Sequence, residues 1–494
     1  MSQDPARIPV IIGVGEINDR PDNPREGLDS VELMVAAVRN ADKDAGGGWI
    51  DRCDWLVNVA QMSFRDLDVV KMLPEALKIA PKTRIEKRPF GDVPLQLVSD
   101  AANAIASGEA SVCITCGGEA LRTSAQRPRE EGGGGVQLGK MKEVTIDVQQ
   151  RYGLTTPTDI YPLYENASRA SWGQSLEEGQ AETGKIWSTM SQVASTAQGA
   201  WIKQPRTAEE ITTIDAGNRP LAFPYSKLQV ANSSVNQAAA LIMTSLAIAR
   251  EAGIDEGQLV FVGAGAQAYE ADAPLARDTF TATPSMAVTL EKALEFNGVT
   301  SDDLDFVELY SCFPCVPKNA RRELGVSADR PLTVHGGLTF GGGPLGNYMM
   351  HATAAMVRKL RESGQYGLLY ANGGFCTHHH TLVLSNHQVS GVSFPQDYDV
   401  NAAADARRGP IPANDQSYEG PATIETYTVF HSREGDPTSA AVLALTPQGK
   451  RVVSKVDGSD SAMIAFLTDG KEEPVGSAGR TQAQGETLYW KREA

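Results

Sequence analysis

Residues 111–120 read SVCITCGGEA and residues 367–376 read GLLYANGGFC; each is an apolar run of strand length that stops at a glycine pair. Each is also preceded by a stretch with helical spacing. In 84–110, RIEKRPFGDVPLQLVSDAANAIASGEA, a loop leads into a helix with Leu95, Val98, Ala102 and Ile105 on one side. In 347–363, NYMMHATAAMVRKLRES, the pattern returns. Further out, PVIIGVG (9–15) is matched by QLVFVGAG (258–265), each an apolar strand broken by glycine. Helix, strand and glycine pair in the same order twice predict a duplicated α/β unit, a mostly parallel sheet covered by helices.

Between and after the repeats the character changes. From Leu121 the chain is Gly-rich and polar, and the next hundred residues hold scattered aromatic and helical pieces, YPLYENASRASWG (161–173) among them. That is too long for a plain loop and predicts a subdomain laid over a cleft. After Asn386 comes a linker rich in Pro, Ala and Asp. Then ATIETYTVFHS, SAAVLAL, KRVVSKV and AMIAFL alternate at period two between turns, the pattern of a small separate β-barrel or sandwich. The expected division is 1–120 with 223–255, 121–222, 256–388 and 389–494.

The 494 residues carry 45 basic and 61 acidic side chains, a formal charge of −16. No basic face suited to nucleic acid is expected, and an anionic ligand must be met by local donors. No run approaches the ~18 apolar residues of a membrane span, and the start lacks a secretory pattern, so a cytoplasmic location is expected. Six cysteines are too few for a disulfide scaffold.

Four places carry chemistry. Asp92 is the reactive side chain of the turn Arg88–Pro94, where a helix start offers free amides; a capping carboxylate is the simpler reading. Tyr310-Ser311-Cys312-Phe313-Pro314-Cys315 sits where a strand meets a loop, and its C-x-x-C has no second pair to make a zinc site. Gly336–Gly346 (GGLTFGGGPLG) is neither a Walker loop nor a dinucleotide fingerprint. His378, His379 and His380 alternate in direction on an extended chain and cannot share one metal, so no metal site is expected.

The order of these segments over roughly 7–388 resembles the thiolase superfamily, most closely the type 1 thiolase-like and sterol-carrier-protein thiolases. CGGEA at Cys116–Ala120, NSSVNQAAALIM at Asn232–Met243, GGLTFGGGPLG and ANGGFC at Ala371–Cys376 carry the likeness. The resemblance implies paired thiolase βαβαβαββ halves in a five-layered αβαβα core, with an OB-like C-terminal extension. It implies an acyltransferase of the acetyl-CoA acetyltransferase kind in lipid metabolism. Coenzyme A or acyl-CoA would be substrate or ligand, no cofactor would be bound permanently, and a homo-oligomer is expected.

In the family a cysteine takes the acyl group as a thioester, a histidine activates it, and a second cysteine moves a proton. The resemblance puts the nucleophile position on Gly91, the histidine on Gly343 and the second cysteine on Ala371. The family's His-Asp-Cys-Phe motif becomes Tyr310-Ser311-Cys312-Phe313. Glycine cannot be acylated, so ordinary thiolysis is not expected, while the backbone at Gly91 and at Gly373-Gly374 keeps the oxyanion scaffold. Ser233 falls where the family touches pantetheine, and Arg122, Arg127, Arg129, Lys140 and Lys142 supply local charge for phosphates. Tyr310 resembles the tyrosine of steroid side-chain aldolases, which implies retro-aldol cleavage without a covalent cysteine. Two other readings are a non-catalytic acyl-CoA-binding scaffold and a nucleophile recruited at Cys312 or Cys376.

Overall fold

The computed structural model describes residues 4–64, 66–136 and 147–492. In the first half, strands β1 (Pro9–Asn18), β2 (Trp55–Val59), β3 (Thr83–Lys87), β4 (Val112–Ala120) and β5 (Asn236–Ser245) lie in the order 3-2-4-5-1. The second half repeats this with β6 (Val260–Tyr269), β7 (Phe306–Leu309), β8 (Tyr366–Gly373) and β9 (His378–Ser385). Its order is 7-8-9-6, and the halves join antiparallel through β1 and β6 at Val10–Phe261 and Ile11–Val260. The duplication read from the sequence is therefore present.

Two differences have plain causes. The sheet is mixed rather than mostly parallel, because β8 returns as β9 through the short hairpin 374–377 and the pair is necessarily antiparallel. The equivalent β4–β5 connection in the first half is where the long inserted segment enters. The second half also lacks a counterpart of β3. Pro331 has no N–H to donate, and a single bond from Leu309 N–H to the Leu332 carbonyl (2.9 Å) remains. The amide of Val334 and the hydroxyl of Thr333 go instead to the Glu308 carboxylate, both at 2.8 Å.

Helices α1 (Ser30–Asp44) and α2 (Val69–Leu77) cover the outer face of the first half. Glycines in β1 let α1 approach: a Cβ at Gly13 or Gly15 would collide with its backbone carbonyls. Helix α3 (Val93–Ser107) lies between the two half-sheets. The insert contributes α4 (Pro157–Ser171) and α5 (Leu176–Thr196). Helices α6 (Pro284–Asn297) and α7 (Cys315–Glu323) cover the second half, and α8 (Tyr348–Glu362) packs beside α3 in the central layer. The result is the αβαβα stack of a thiolase-like fold. Its main core fills the central layer, with Leu95, Val98, Met349 and Leu369 fully buried.

The C-terminal strands β10 (Gly420–His431), β11 (Pro437–Leu445), β12 (Arg451–Asp457), β13 (Ala478–Gln484) and β14 (Thr487–Arg492) close a barrel in the order 10-11-12-14-13-10. Helix α9 (Ser461–Thr468) lies between β12 and β13. This is a small OB-like barrel. AMIAFL is thus helical rather than a strand: the Asp460 carboxylate caps it through the Met463 amide at 3.1 Å. The barrel is not free of the rest, since Thr426 donates to the Leu163 carbonyl of α4 at 2.6 Å.

Candidate active site

The turn before α3 meets the end of β8 and the residue after β7. Tyr310 donates its amide to the Tyr370 carbonyl (3.0 Å), which extends β7 by one residue and turns the phenol toward Gly91. A Cβ at Gly91 would lie less than 3.0 Å from both the Tyr310 phenol oxygen and the Asn372 carbonyl oxygen. The place the resemblance gives to a nucleophilic cysteine is thus filled by a phenol. Burial, with Cys312 and Asp92 nearby, pushes the Tyr310 hydroxyl well above its ordinary range, so it stays protonated.

Asp92 does not behave as a simple cap. It stands at the N-cap position of α3, yet its backbone is helical and its side chain accepts no capping bond. It is fully buried, and neither carboxylate oxygen has a hydrogen-bond partner. Arg88, at 4.0 Å, is the paired cation. Burial outweighs that charge and raises the carboxyl to about 6. Gly373 leaves room for it, because a Cβ there would overlap Asp92 Oδ1. The sequence singled out Asp92 as the reactive side chain of its turn but favoured a cap, because an aspartate at a helix start reads as one unless its surroundings are known.

Behind Tyr310 lies a polar cluster built by the insert. Tyr161 of α4 donates to the Gly374 carbonyl (3.1 Å) and accepts from Asn372 Nδ2 (2.8 Å) and the Cys376 amide (2.9 Å). Tyr164 donates to the Phe375 carbonyl at 2.8 Å. Two tyrosines thus hold the hairpin 374–377, whose Cys376 has a left-handed φ of 61°. Asn372 also points its amide at Cys312 Sγ (3.6 Å), and its Oδ1 is buried without a partner. Cys312 and Cys376 are both buried, and desolvation raises both thiols above their ordinary value. Neither environment makes a thiolate.

Ala371, Gly343 and the segment of Ser233 border this centre. Ala371 faces the same strand end, paired with His380. Gly343 donates its amide to the Asn232 carbonyl (2.8 Å), and Ala231 donates to the Cys312 carbonyl (2.9 Å), so the segment bearing Ser233 runs between the two loops. Arg122 donates its amide to the Val235 carbonyl (3.2 Å), near Ser233, and its charge acts on Arg20, which stacks 4.0 Å over Trp201. Arg127 is occupied by the Arg25 and Gly27 carbonyls (2.9 and 2.7 Å), and Arg129 is exposed. Lys140 and Lys142 lie outside the described residues.

The three histidines of β9 alternate as expected. His379 meets the Tyr370 hydroxyl at 2.8 Å and His380 meets Ser99 at 3.0 Å. His378 packs edge-on to Phe90 and Tyr269. With Arg88, Tyr269 and Glu270 it lines a groove of about 710 Å³ beside the Asp92 turn. Tyr348 stands near Tyr310 with ring centroids 6.1 Å apart, but its hydroxyl is held by Glu308 at 2.7 Å.

A two-half αβαβα stack with Gly91, Tyr310 and Asn372 meeting at its centre has the fold of the thiolases, with a glycine at the position the resemblance gives to their attacking cysteine. The C-terminal barrel narrows this: residues 401–486 match the thiolase-like protein type 1 additional C-terminal domain. The chain is similar to thiolase-like proteins of that type in this domain and in its fold. A monomeric SCP2-thiolase like protein type 1 from Mycobacterium smegmatis is similar over 100% of both chains, at 27% identity and a TM-score of 0.84. The Ltp2-ChsH2(DUF35) aldolase shares the fold over 77% of this chain and 98% of that one, at 20% identity and a TM-score of 0.60. Acetyl-CoA acetyltransferase 1 of Arabidopsis thaliana is 28% identical over 252 residues, 48% of this chain and 58% of that protein. The chain thus spans little more than half the length of that curated relative. Human mitochondrial 3-ketoacyl-CoA thiolase in complex with CoA shares the fold at 16% identity and a TM-score of 0.57, over 78% of this chain and 99% of that one. Among the described residues, no helix is long and apolar enough to cross a membrane.

Proposed function

We propose that the chain binds an acyl-CoA and makes or breaks a carbon–carbon bond in it by acid–base chemistry, without an acyl-enzyme. The observation that carries this reading is the Tyr310 phenol in the volume beside Gly91, next to a buried Asp92 carboxylate whose oxygens have no hydrogen-bond partner. In the cleavage direction, Asp92 takes the proton of a β-hydroxyl. The C2–C3 bond breaks, the oxygen-bearing carbon becomes a carbonyl, and its electron pair passes into an acyl-CoA enolate. Tyr310 donates to that enolate oxygen, and the abstracted proton returns to C2, so atoms and charge balance. An Asp92 value near 6 suits a base at neutral pH, and a protonated Tyr310 suits a donor. Arg122, whose amide bonds to Val235 two residues beyond Ser233, would supply charge for the phosphates of a CoA, with Arg20 near enough to feel it.

Tyr310→Phe is expected to abolish cleavage of β-hydroxyacyl-CoA substrates while CoA binding, followed by calorimetric titration, stays within about threefold, since a lost transition-state donor lowers kcat rather than affinity. Unchanged turnover in this variant excludes the mechanism. Binding with no conversion by the wild-type chain, over a wide panel of acyl-CoAs, would favour a scaffold role instead.

A further inference from the structure

A second cluster lies on the far side of Tyr348. Glu16 near the end of β1, His335 in the segment after Pro331, and His351 in the first turn of α8 converge there. One ligand atom from each lies within 4.8 Å of the others. All three side chains are 3% exposed or less. His351 Nδ1 is 2.7 Å and His335 Nδ1 is 3.9 Å from the same oxygen, Glu16 Oε1, and the two rings are 5.6 Å apart. Both nitrogens of His335 and Nε2 of His351 are buried without a hydrogen-bond partner. An imidazole buried with two idle nitrogens is unusual, since buried polar atoms are nearly always paired.

We propose that Glu16, His335 and His351 bind one first-row divalent transition metal, with Zn2+ the natural occupant. Two imidazoles and a carboxylate are a common ligand set for such ions, and the oxygens are too few for Ca2+ or Mg2+. Ligand bonds of about 2.0–2.1 Å in a tetrahedron put ligand atoms roughly 3.3 Å apart. The distances of 2.7 and 3.9 Å bracket that value, so small side-chain shifts complete the site. The other carboxylate oxygen of Glu16 is held by Arg358, the kind of outer contact that fixes a ligand's orientation. Glycines make the room that the ligand side chains occupy: a Cβ at Gly199 would strike the Glu16 carboxylate, and one at Gly341 would strike the His335 ring at 2.7 Å.

This departs from the sequence expectation of no metal, because the convergent histidines are not the adjacent ones of β9. The site is also independent of the proposed reaction. Tyr348 separates them, 5.7 Å from His335 and 6.1 Å from Tyr310 between ring centroids, and no step above passes through the ion.

The test is metal analysis of the full-length protein, produced with added Zn2+ or Co2+ and dialysed against a chelator. The expected result is about one equivalent of zinc per chain, or a visible absorption spectrum of four- or five-coordinate cobalt. His335→Gln and His351→Gln should each lower the content at least ~10-fold, as loss of a ligand does, while His378→Gln retains it. Metal-free wild-type protein under both conditions overturns the proposal, as does full metal content in both cluster variants. Should either variant fail to fold, the wild-type stoichiometry and cobalt spectrum decide alone.

Discussion

At the level of single residues, the candidate site is defined by a glycine and the ring that occupies the space beside it. Gly91 and Tyr310 form a pair: the phenol is where it is because residue 91 has no side chain. Placing a cysteine at residue 91 alone should therefore not make a thiolase. Gly91→Cys presses on a backbone carbonyl as well as on Tyr310, and overpacking of that kind costs about 1–3 kcal/mol. Denaturant unfolding should show this loss, and mass spectrometry after acetyl-CoA treatment should show no adduct at residue 91; an adduct would mean the phenol yields easily. Asp92 makes a sharper prediction. Its value rises from 3.8 to about 6 on folding, so between those pH values the folded chain holds the proton more tightly than the unfolded one. Stability is then greatest below 3.8 and falls as pH rises through 6. At neutral pH the ionised group opposes folding by at most ~3 kcal/mol. Asp92→Asn should be more stable than wild type at pH 7, with the gain vanishing near pH 4, and should lose turnover. Wild-type activity should fall as pH drops below about 6. A variant less stable at pH 7, or fully active, contradicts the role given to this carboxylate.

At the level of elements, the repeat was legible because a strand ending in a glycine pair is a local pattern, and both copies kept it. What the sequence hid were the places where a side chain replaces backbone pairing. The missing β3 counterpart is one, since Glu308 takes the hydrogen bonds a strand would have made. The α9 segment is another: a six-residue apolar run has no decisive period, and the Asp460 cap settles it only in three dimensions. Asp92 belongs to the same class, because a cap and a desolvated base look alike in one dimension. The insert's role was legible as position but not as mechanism. Its helix α4 clamps the 374–377 hairpin through two tyrosines with unequal work. Tyr161→Phe strands one N–H of the Asn372 amide and the Cys376 N–H, two buried donors at about 1–3 kcal/mol each. Tyr164→Phe loses its bond to the Phe375 carbonyl and a weaker one from Arg277 at 3.3 Å. Denaturant titration should rank Tyr161→Phe as clearly the more damaging, and Cys376 should become more reactive toward thiol reagents in it. Equal losses would mean that the hairpin is held elsewhere.

At the level of the whole molecule, the barrel read as a separate domain is tied to the site through its bonds to α4 and through the buried cation Arg451. Arg451 of β12 is fully buried and forms a two-pronged pair with Glu425, at 2.7 and 2.6 Å. Its remaining nitrogen donates to the carbonyls of Leu275 and Arg277, at 2.8 and 2.7 Å. Arg277 in turn donates to the Cys376 carbonyl at 2.8 Å, inside the hairpin that adjoins Asn372 and Tyr310. A path of short hydrogen bonds therefore runs from the barrel to the candidate site, through a segment that has no regular structure of its own. Contiguity alone is not coupling, and only a variant can show it. Removing one partner of a buried pair leaves the other charge unmatched, at a cost of about 3–5 kcal/mol. Arg451→Ala should thus lower stability by that amount. Because the barrel keeps its own core of Ile424, Val442, Leu467 and Trp490, it should then unfold in a transition distinct from the thiolase part. If the path orients the hairpin, kcat for the proposed cleavage falls in this variant while CoA affinity holds. Under denaturant, a single unchanged transition with full turnover would show that the barrel is held by its contacts with α4 and not by Arg451.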